Sequence, residues 1–474
     1  MRAISLIAAL LFAFCLAPLG GLLAALSQGD RGASETFLLM AFLYLFVAGL
    51  AILATWHRRS LLTRGGLFPL ALVMWLVLAV AAMPPYIAIE GHSPAVAFYE
   101  ATSAIVTNGQ SLMPVEEMRW PMMVYRAVSS WLGGLLTLML GVYVLGRYEV
   151  GGTTSRDLRL VLRDSGKVGA SIRGTLLEIG TPYVLVTLVG LVALLATRVS
   201  PGSALIATLG AVSTSGLVAP RPGAGIFNSQ MAETVLLVLM LVGATSILTL
   251  RAALGRTLRQ AQDRWESLAF LVLIVAIIAF LAVARQVSPQ IAHGSWFSLV
   301  FDVFSTATTT GVVHDLRDGL QVPYELAIIL ALIGGTAFST SGGLKVFRIV
   351  AMFRHSYDEI RSLIYPNRMI AFESGSEANE TRRMNAVWSA LFAGLVFILV
   401  LTTLLAMTGH HFEAALNLAV GSFTGTASLV DSSLFATTDG RVSVISLMLL
   451  AIAGLVGRLE ILLVLVAFGR LRGD

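Results

Sequence analysis

The chain has 474 residues, 57% of them hydrophobic and 12% charged, with a formal net charge of +5. A soluble domain carries about a quarter charged residues, so a water-soluble globule is excluded. A single cysteine, Cys15, excludes an intrachain disulfide framework and a thiolate metal cage. The surplus arginines sit in a few loops, which is what membrane orientation requires and not the footprint of a nucleic-acid binder.

In chain order, Arg2 followed by apolar 3–26 has the flavour of a secretory leader. The run is long for a leader, and Phe14 before Cys15 lacks the small residue of a lipoprotein cleavage site, so it reads as a first retained span. Apolar blocks bounded by charge or Gly/Pro predict further spans near 35–57, 66–88, 120–146, 174–197, 230–250, 266–285, 323–353, 384–408 and 442–469. Between them lie four amphipathic stretches of about a dozen residues, near 95–106, 202–213, 295–308 and 412–424, too short to cross.

The loop charges sort these elements by side. Arg58, Arg59 and Arg64 share one loop, and Arg147, Arg156, Arg159, Arg163, Lys167 and Arg173 the next long one. Arg251, Arg256, Arg259 and Arg264 form a third cluster. Arg348, Arg354, Arg361, Arg368, Arg382 and Arg383 form a fourth, and Arg470 and Arg472 end the chain. Alternation from a cytoplasmic N-terminus places every cluster inside, and both termini with them, provided the four short stretches enter and leave from outside. A true crossing at any of them would flip the clusters that follow, so they are read as re-entrant.

The short stretches rhyme. Each is followed by a polar turn and then a long span: Val106-Thr107-Asn108-Gly109-Gln110, Ser213-Thr214-Ser215-Gly216-Leu217, Thr308-Thr309-Thr310-Gly311-Val312 and Gly425-Thr426-Ala427-Ser428-Leu429. Aligned, they give Thr-x-Gly three times and Thr-x-Ser once, roughly 95 to 120 residues apart. The expected fold is an all-α membrane protein. Four pseudo-symmetric repeats of transmembrane helix, re-entrant pore helix, filter loop and transmembrane helix follow two extra N-terminal helices.

Such loops have a chemistry. Irregular backbone at membrane depth survives only when buried in protein or lining a watery cavity. A half-helix ends in unpaired carbonyls and the negative end of its dipole, which favours a cation. Ser93-Pro94 and Ser200-Pro201 supply N-caps with Pro at the first helical position. Glycine lets the loop turn back, and threonine adds a hydroxyl that can ligate an ion or brace the loop. Four such loops around an axis would replace the hydration shell of a monovalent cation with carbonyls. One Ser/Thr/Gly cluster alone would serve helix packing; four copies in register point to a pore.

These features resemble the Trk/Ktr/HKT superfamily of potassium and sodium transport proteins, most of all its bacterial TrkH branch, over nearly the whole chain. Trp131-Leu132-Gly133-Gly134 resembles the opening of the second span in repeat one, and Gly457-Arg458-Leu459-Glu460 the repeat-four signature. The run Gly334-Gly335-Thr336-Ala337-Phe338-Ser339-Thr340-Ser341-Gly342-Gly343-Leu344-Lys345 resembles the small-residue segment that interrupts the last span of repeat three. The resemblance implies two N-terminal helices over 1–63 and pore repeats over 64–150, 151–258, 259–358 and 359–474. It implies potassium uptake across a bacterial inner membrane, with K+ (alternatively Na+) as permeant ion, in a homodimer gated by a cytosolic nucleotide-binding ring of the TrkA type. The filter would comprise Thr107, Asn108, Gly109, Thr214, Ser215, Gly216, Thr309, Thr310, Gly311, Thr426, Ala427 and Ser428. A gating loop at 334–343, with Gly334, Gly335, Thr336, Ser339, Gly342 and Gly343, would lie beneath it, and Arg458 would face the pore as a barrier to cations.

Two features depart from the pattern. Ser428 stands where the other loops have glycine, although Gly425 in an alternative register could fill the turn, and Asn108 and Gln110 make the first loop unusually polar. Sodium passage, or a non-conducting assembly or regulatory subunit, is therefore the alternative reading. Glu100 and Asp302 are expected to anchor the half-helices, and His92, His293, His410 and His411 to lie on the outer surface. The chain shows no His/Glu metal motif, no nucleophile with a base and no ATP-binding loop, so neither an enzyme nor a bound cofactor is expected.

Overall fold

The computed structural model describes residues 2–55, 64–142, 172–219, 225–227, 229–254, 264–287, 294–364, 377–430, 432–437, 440, 442–459, 461 and 464. Arg58, Arg59, Arg147, Arg156, Arg159, Arg163, Lys167, Arg256, Arg259, Arg368, Arg470, Arg472, His293 and Glu460 lie outside the described residues, as does the side chain of Arg173.

The described residues are helical, apart from turns and one isolated bridge between Ala436 and Val442. Helices α1 (Arg2–Phe14) and α2 (Leu16–Gln28) join at Cys15, and α3 (Arg31–Thr55) packs back against both. Four units then follow, each with a half-helix of 12 or 13 residues. The first holds α4 (Arg64–Ala82), α5 (Pro84–Ala88), half-helix α6 (Pro94–Ile105) and α7 (Trp120–Leu140). The second holds α8 (Ile172–Ala196), half-helix α9 (Pro201–Val212), α10 (Gln230–Gly243) and α11 (Ile247–Leu254). The third holds α12 (Arg264–Val287), half-helix α13 (Trp296–Ala307), α14 (Tyr324–Ile333) and α15 (Val346–Ile364). The fourth holds α16 (Glu377–Met407), half-helix α17 (Phe412–Thr424) and α18 (Val444–Leu459).

Among the described residues, seven helical segments are long and apolar enough to cross a membrane, or eight if the bent pair α10–α11 is one span. Their outward faces are bare leucine, valine and phenylalanine, such as Leu39, Phe42, Val272, Phe280 and Leu399. The buried interior is instead rich in threonine and serine. Only 17% of the apolar window of α12 is buried, which places that helix at the lipid-facing rim. This inside-out distribution follows from a solvent that is hydrocarbon outside and polar at the axis.

Each half-helix packs against the spans on either side of it, and the span that follows it in each unit packs on the half-helix of the next. Thus α7 meets α9, α10 meets α13, α14 meets α17, and α18 returns to α6. The last contact closes the four units into a ring. Gly134 allows the α7–α9 junction, where an added Cβ would stand 3.2 Å from the Ser213 Cβ, and Gly454 the closing one, where it would stand 3.0 Å from the Val106 side chain. Gly133 and Gly457 bring α7 and α18 equally close to the half-helices of their own units, at the Ile105 and Phe423 carbonyls.

Two expected spans are broken. The segment 230–250 bends by 105° between α10 and α11. Its freed groups find partners in a distant loop: the Gly243 carbonyl accepts from the Thr340 hydroxyl (2.9 Å), and the Ala244 carbonyl from the Thr336 N–H (3.1 Å) and hydroxyl (3.0 Å). The Ile247 N–H donates to the Phe338 carbonyl at 3.0 Å. The segment 323–353 is interrupted from Gly334 to Lys345, with Gly334 and Gly343 both at positive φ.

Candidate pore and the loop beneath it

Three half-helices start alike. Ser93, Ser200 and Ser295 accept from the N–H three residues on, at 3.5, 3.3 and 3.0 Å. The fourth begins at His411 with no side-chain cap. The caps fix where each helix starts and therefore how deep its carbonyl end reaches.

At those ends the backbone repeats itself. Thr107, Thr214 and Thr309 all adopt left-handed angles, with φ of 53°, 52° and 57°. A β-branched residue there is strained, and three at one position mark a conformation that the surroundings impose. The next residue in each loop donates back over five residues, Asn108 to the Ser103 carbonyl (2.9 Å), Ser215 to Gly210 (2.8 Å) and Thr310 to Ser305 (3.0 Å).

The fourth loop carries the same geometry one residue earlier than the sequence alignment placed it. Gly425 takes the left-handed position with φ 77°, and the Thr426 N–H donates to the Gly421 carbonyl at 3.0 Å. The hydroxyl pairs agree: Ser213–Ser215 (3.2 Å) and Thr308–Thr310 (2.8 Å) are matched by Thr424–Thr426 (2.9 Å). Thr426 is therefore in register with Asn108, Ser215 and Thr310, and Ala427, not Ser428, stands opposite Gly109, Gly216 and Gly311. The physical reason is that glycine enters left-handed angles without the Cβ clash, so Gly425 takes the turn and α17 runs to Thr424.

The third position of each loop touches the next loop. A methyl at Gly109 would overlap the Ser215 carbonyl, one at Gly216 the Thr310 carbonyl, and one at Gly311 the Ala427 N–H. Ala427 already carries its methyl, which would stand 3.0 Å from a Cβ at Gly109.

Loops one and three are anchored by carboxylates in one register. Glu100 accepts from the Leu112 N–H (2.7 Å) and pairs with the wholly buried Arg126. Asp302 accepts from the N–H groups of His314 (2.8 Å) and Gln321 (2.9 Å). Both thus serve as the anchors expected of them. His314 also links units, its ring standing 3.0 Å from Glu233 at the start of α10. His410 is buried and not on the surface as expected: its Nε2 sits 3.1 Å from the Ser446 hydroxyl.

The 334–345 segment lies directly under the carbonyl ends. A methyl at Gly342 would fall on the Thr424 carbonyl, and the Gly342 N–H donates to the Thr309 hydroxyl at 2.7 Å. Thr340 donates to the Val212 carbonyl at 3.0 Å. Arg458 joins the segment to loop one, donating to the carbonyls of Val106, Thr107 and Thr340 and to the Thr107 hydroxyl. Below lies a cavity of about 50 Å³ lined by Ser339, Ser341, Lys345 and Arg458 among others.

No protein-family model matches the chain. It is 27% identical over 457 residues to the Trk system potassium uptake protein TrkH of Escherichia coli, covering 90% of this chain and 91% of that one. An uncharacterised cation transporter of Methanocaldococcus jannaschii is 28% identical over 409 residues, or 84% of this chain and 81% of that one. The crystal structure of the potassium transporter TrkH from Vibrio parahaemolyticus matches over 98% of each chain, with a TM-score of 0.82 and 24% identity. The chain is similar to the TrkH proteins over about nine tenths of its length.

The TrkH likeness runs end to end, so the four loops, the interrupted span and Arg458 all fall within the shared fold. One residue at this site, Arg126, escaped the sequence reading, and two more, Thr340 and Lys345, lay in the run 334–345 without a role of their own. Arg126 lies seven residues into an apolar helix, where a lone charge in a span was the available signal. Lys345 reaches back to the Ser341 carbonyl at 2.5 Å, and Thr340 sits between the flagged Ser339 and Gly342.

Proposed function

We propose that this chain is the pore-forming subunit for potassium uptake, with the ion passing through the ring of filter loops at 107–109, 214–216, 309–311 and 425–427. The observation that carries the reading is the repeated loop geometry. Four half-helices bring their carbonyl ends to one place, and three of the loops pay for it with strained threonines. Carbonyl dipoles there would stand in for the water around a monovalent cation. A membrane potential negative inside adds ~2.3 kcal/mol per charge per 100 mV, so entry can be passive.

In this reading the 334–343 segment and Arg458 are the closed gate. Arg458 sets a buried cation against the carbonyls of loop one, where the half-helix end favours positive charge, and its hydrogen bonds to Thr107 and Thr340 hold the segment under the filter. The setting is an inner membrane with both termini cytoplasmic, and the assembly is a homodimer on a TrkA-type nucleotide-binding ring. The repeat boundaries at 64–150, 151–258, 259–358 and 359–474 belong to the same proposal.

The test is rescue of uptake-deficient bacteria at low potassium, with the ring partner co-expressed. Rescue is expected from the native chain and its loss from Gly216→Val, because that side chain would strike the Thr310 carbonyl. Growth of the Gly216→Val strain equal to the native one would remove the filter assignment. Sodium passage is a second reading favoured by one observation, the methyl of Ala427 at a position where the other loops carry glycine.

A further inference from the structure

The ring of filter loops has three junctions of one kind and a fourth of another. At the first three a glycine lies against the backbone of the next loop, at Gly109–Ser215, Gly216–Thr310 and Gly311–Ala427. Between loops four and one, Ala427 puts a methyl beside Gly109, so this junction cannot close in the same way.

A side chain stands there instead. The Gln110 Oε1 accepts from the Ser422 hydroxyl of half-helix α17 at 2.8 Å, and from the Tyr99 hydroxyl and the Asn108 Nδ2 of its own unit at 3.2 Å each. The amide is 2% exposed, and its Nε2 has no partner among the described residues. It lies against Gly421, where a Cβ would come within 2.6 Å of it. Residues in register with Gln110 do nothing similar: Leu217 and Val312 are buried and apolar, and the Ser428 hydroxyl finds no partner among the described residues.

Loop one is also held from behind. The Ser103 hydroxyl donates to the Asn108 (2.8 Å) and Gln110 (2.5 Å) carbonyls, and Arg126 donates to the Gln110 carbonyl at 2.6 Å. The backbone of loop one is thus pulled outward while its glutamine reaches sideways to unit four.

We infer that Gln110 is a specificity-determining positioning residue: its amide clasps filter loop one to half-helix α17 across the junction that Ala427 keeps from closing. It does not touch the ion. It fixes the distance between loops four and one, and through that the carbonyl cage that separates potassium from the smaller sodium ion. A buried amide held by three donors resists movement, because any displacement strands those donors.

The inference rests on the filter reading, and the experiment separates the two. Purified protein in planar bilayers or liposomes is measured for its reversal potential with potassium on one side and sodium on the other. Gln110→Leu keeps much of the volume and removes the acceptor. Its potassium-over-sodium permeability ratio is expected to fall about threefold or more, with monodisperse elution and a cooperative melt lowered by the donors it strands. Ala427→Gly, which restores the glycine approach, is expected to raise the ratio, and it decides the question if Gln110→Leu does not fold. A native ratio in folded Gln110→Leu, or in Ala427→Gly where that variant decides, overturns the clasp while a silent Gly216→Val leaves the filter standing. Flux that persists in Gly216→Val overturns the filter reading itself.

Discussion

At the scale of single residues, buried polar groups here are held by partners far away in sequence. Glu100 and Arg126 form an ion pair 1% exposed on both sides, and Arg126 also braces the Ser103 hydroxyl and the Gln110 carbonyl. Removing one member leaves a charge without its counter-ion in a low-dielectric interior, a loss of about 3–5 kcal/mol. Glu100→Gln is therefore expected to lower the melting temperature in detergent markedly, and a Glu100→Leu, Arg126→Leu double variant to recover much of it. A native melting temperature in Glu100→Gln would show that the pair does not anchor loop one. How much of this was legible differs by residue. Glu100 and Asp302 could be assigned as anchors because a carboxylate in a half-helix needs donors, and the loop's N–H groups are the nearest. The register of loop four was misread because threonine recurs at both Thr424 and Thr426. The backbone angle of Gly425, the Thr426 N–H bond to the Gly421 carbonyl and the Thr424–Thr426 hydroxyl pair separate the two alignments.

At the scale of elements, the short half-helices were readable from length and, in two of the four, from a Ser-Pro start. The interruption at 334–345 was readable from its run of Gly, Ser and Thr. The bend between α10 and α11 was not read, although Gly243-Ala244-Thr245-Ser246 interrupts the apolar run there. Its broken hydrogen bonds are made good by Thr336, Phe338 and Thr340, about 90 residues on, and no local pattern reports such an exchange. That exchange also makes the interrupted segment a lever. Thr340→Val preserves shape but strips the hydroxyl from the Val212 and Gly243 carbonyls, a cost of about 1–3 kcal/mol. If the segment is the gate, the variant is expected to raise basal ion flux in liposomes without the ring partner. Arg458→Ala, which frees the segment from Thr107, is expected to act in the same direction. Flux unchanged in both would leave the segment a structural plug and nothing more.

At the scale of the whole molecule, four units of unlike sequence close into one ring because the span after each half-helix covers the next half-helix, and the last covers the first. Close approach at Gly134 and Gly454 allows this, and the lipid-facing leucines and phenylalanines complete it from outside. The ring places the carbonyl ends of α6, α9, α13 and α17 together without any metal-binding cluster of His, Cys, Asp or Glu among the described residues. In the proposed filter, a cation would meet backbone carbonyl and threonine hydroxyl oxygens. The most direct test of the central claim is the reversal potential of the reconstituted native protein under opposed potassium and chloride gradients. The four-loop filter requires the potential to follow the potassium gradient and to disappear in Gly216→Val. A potential that follows chloride, or one that survives unchanged in Gly216→Val, would contradict it.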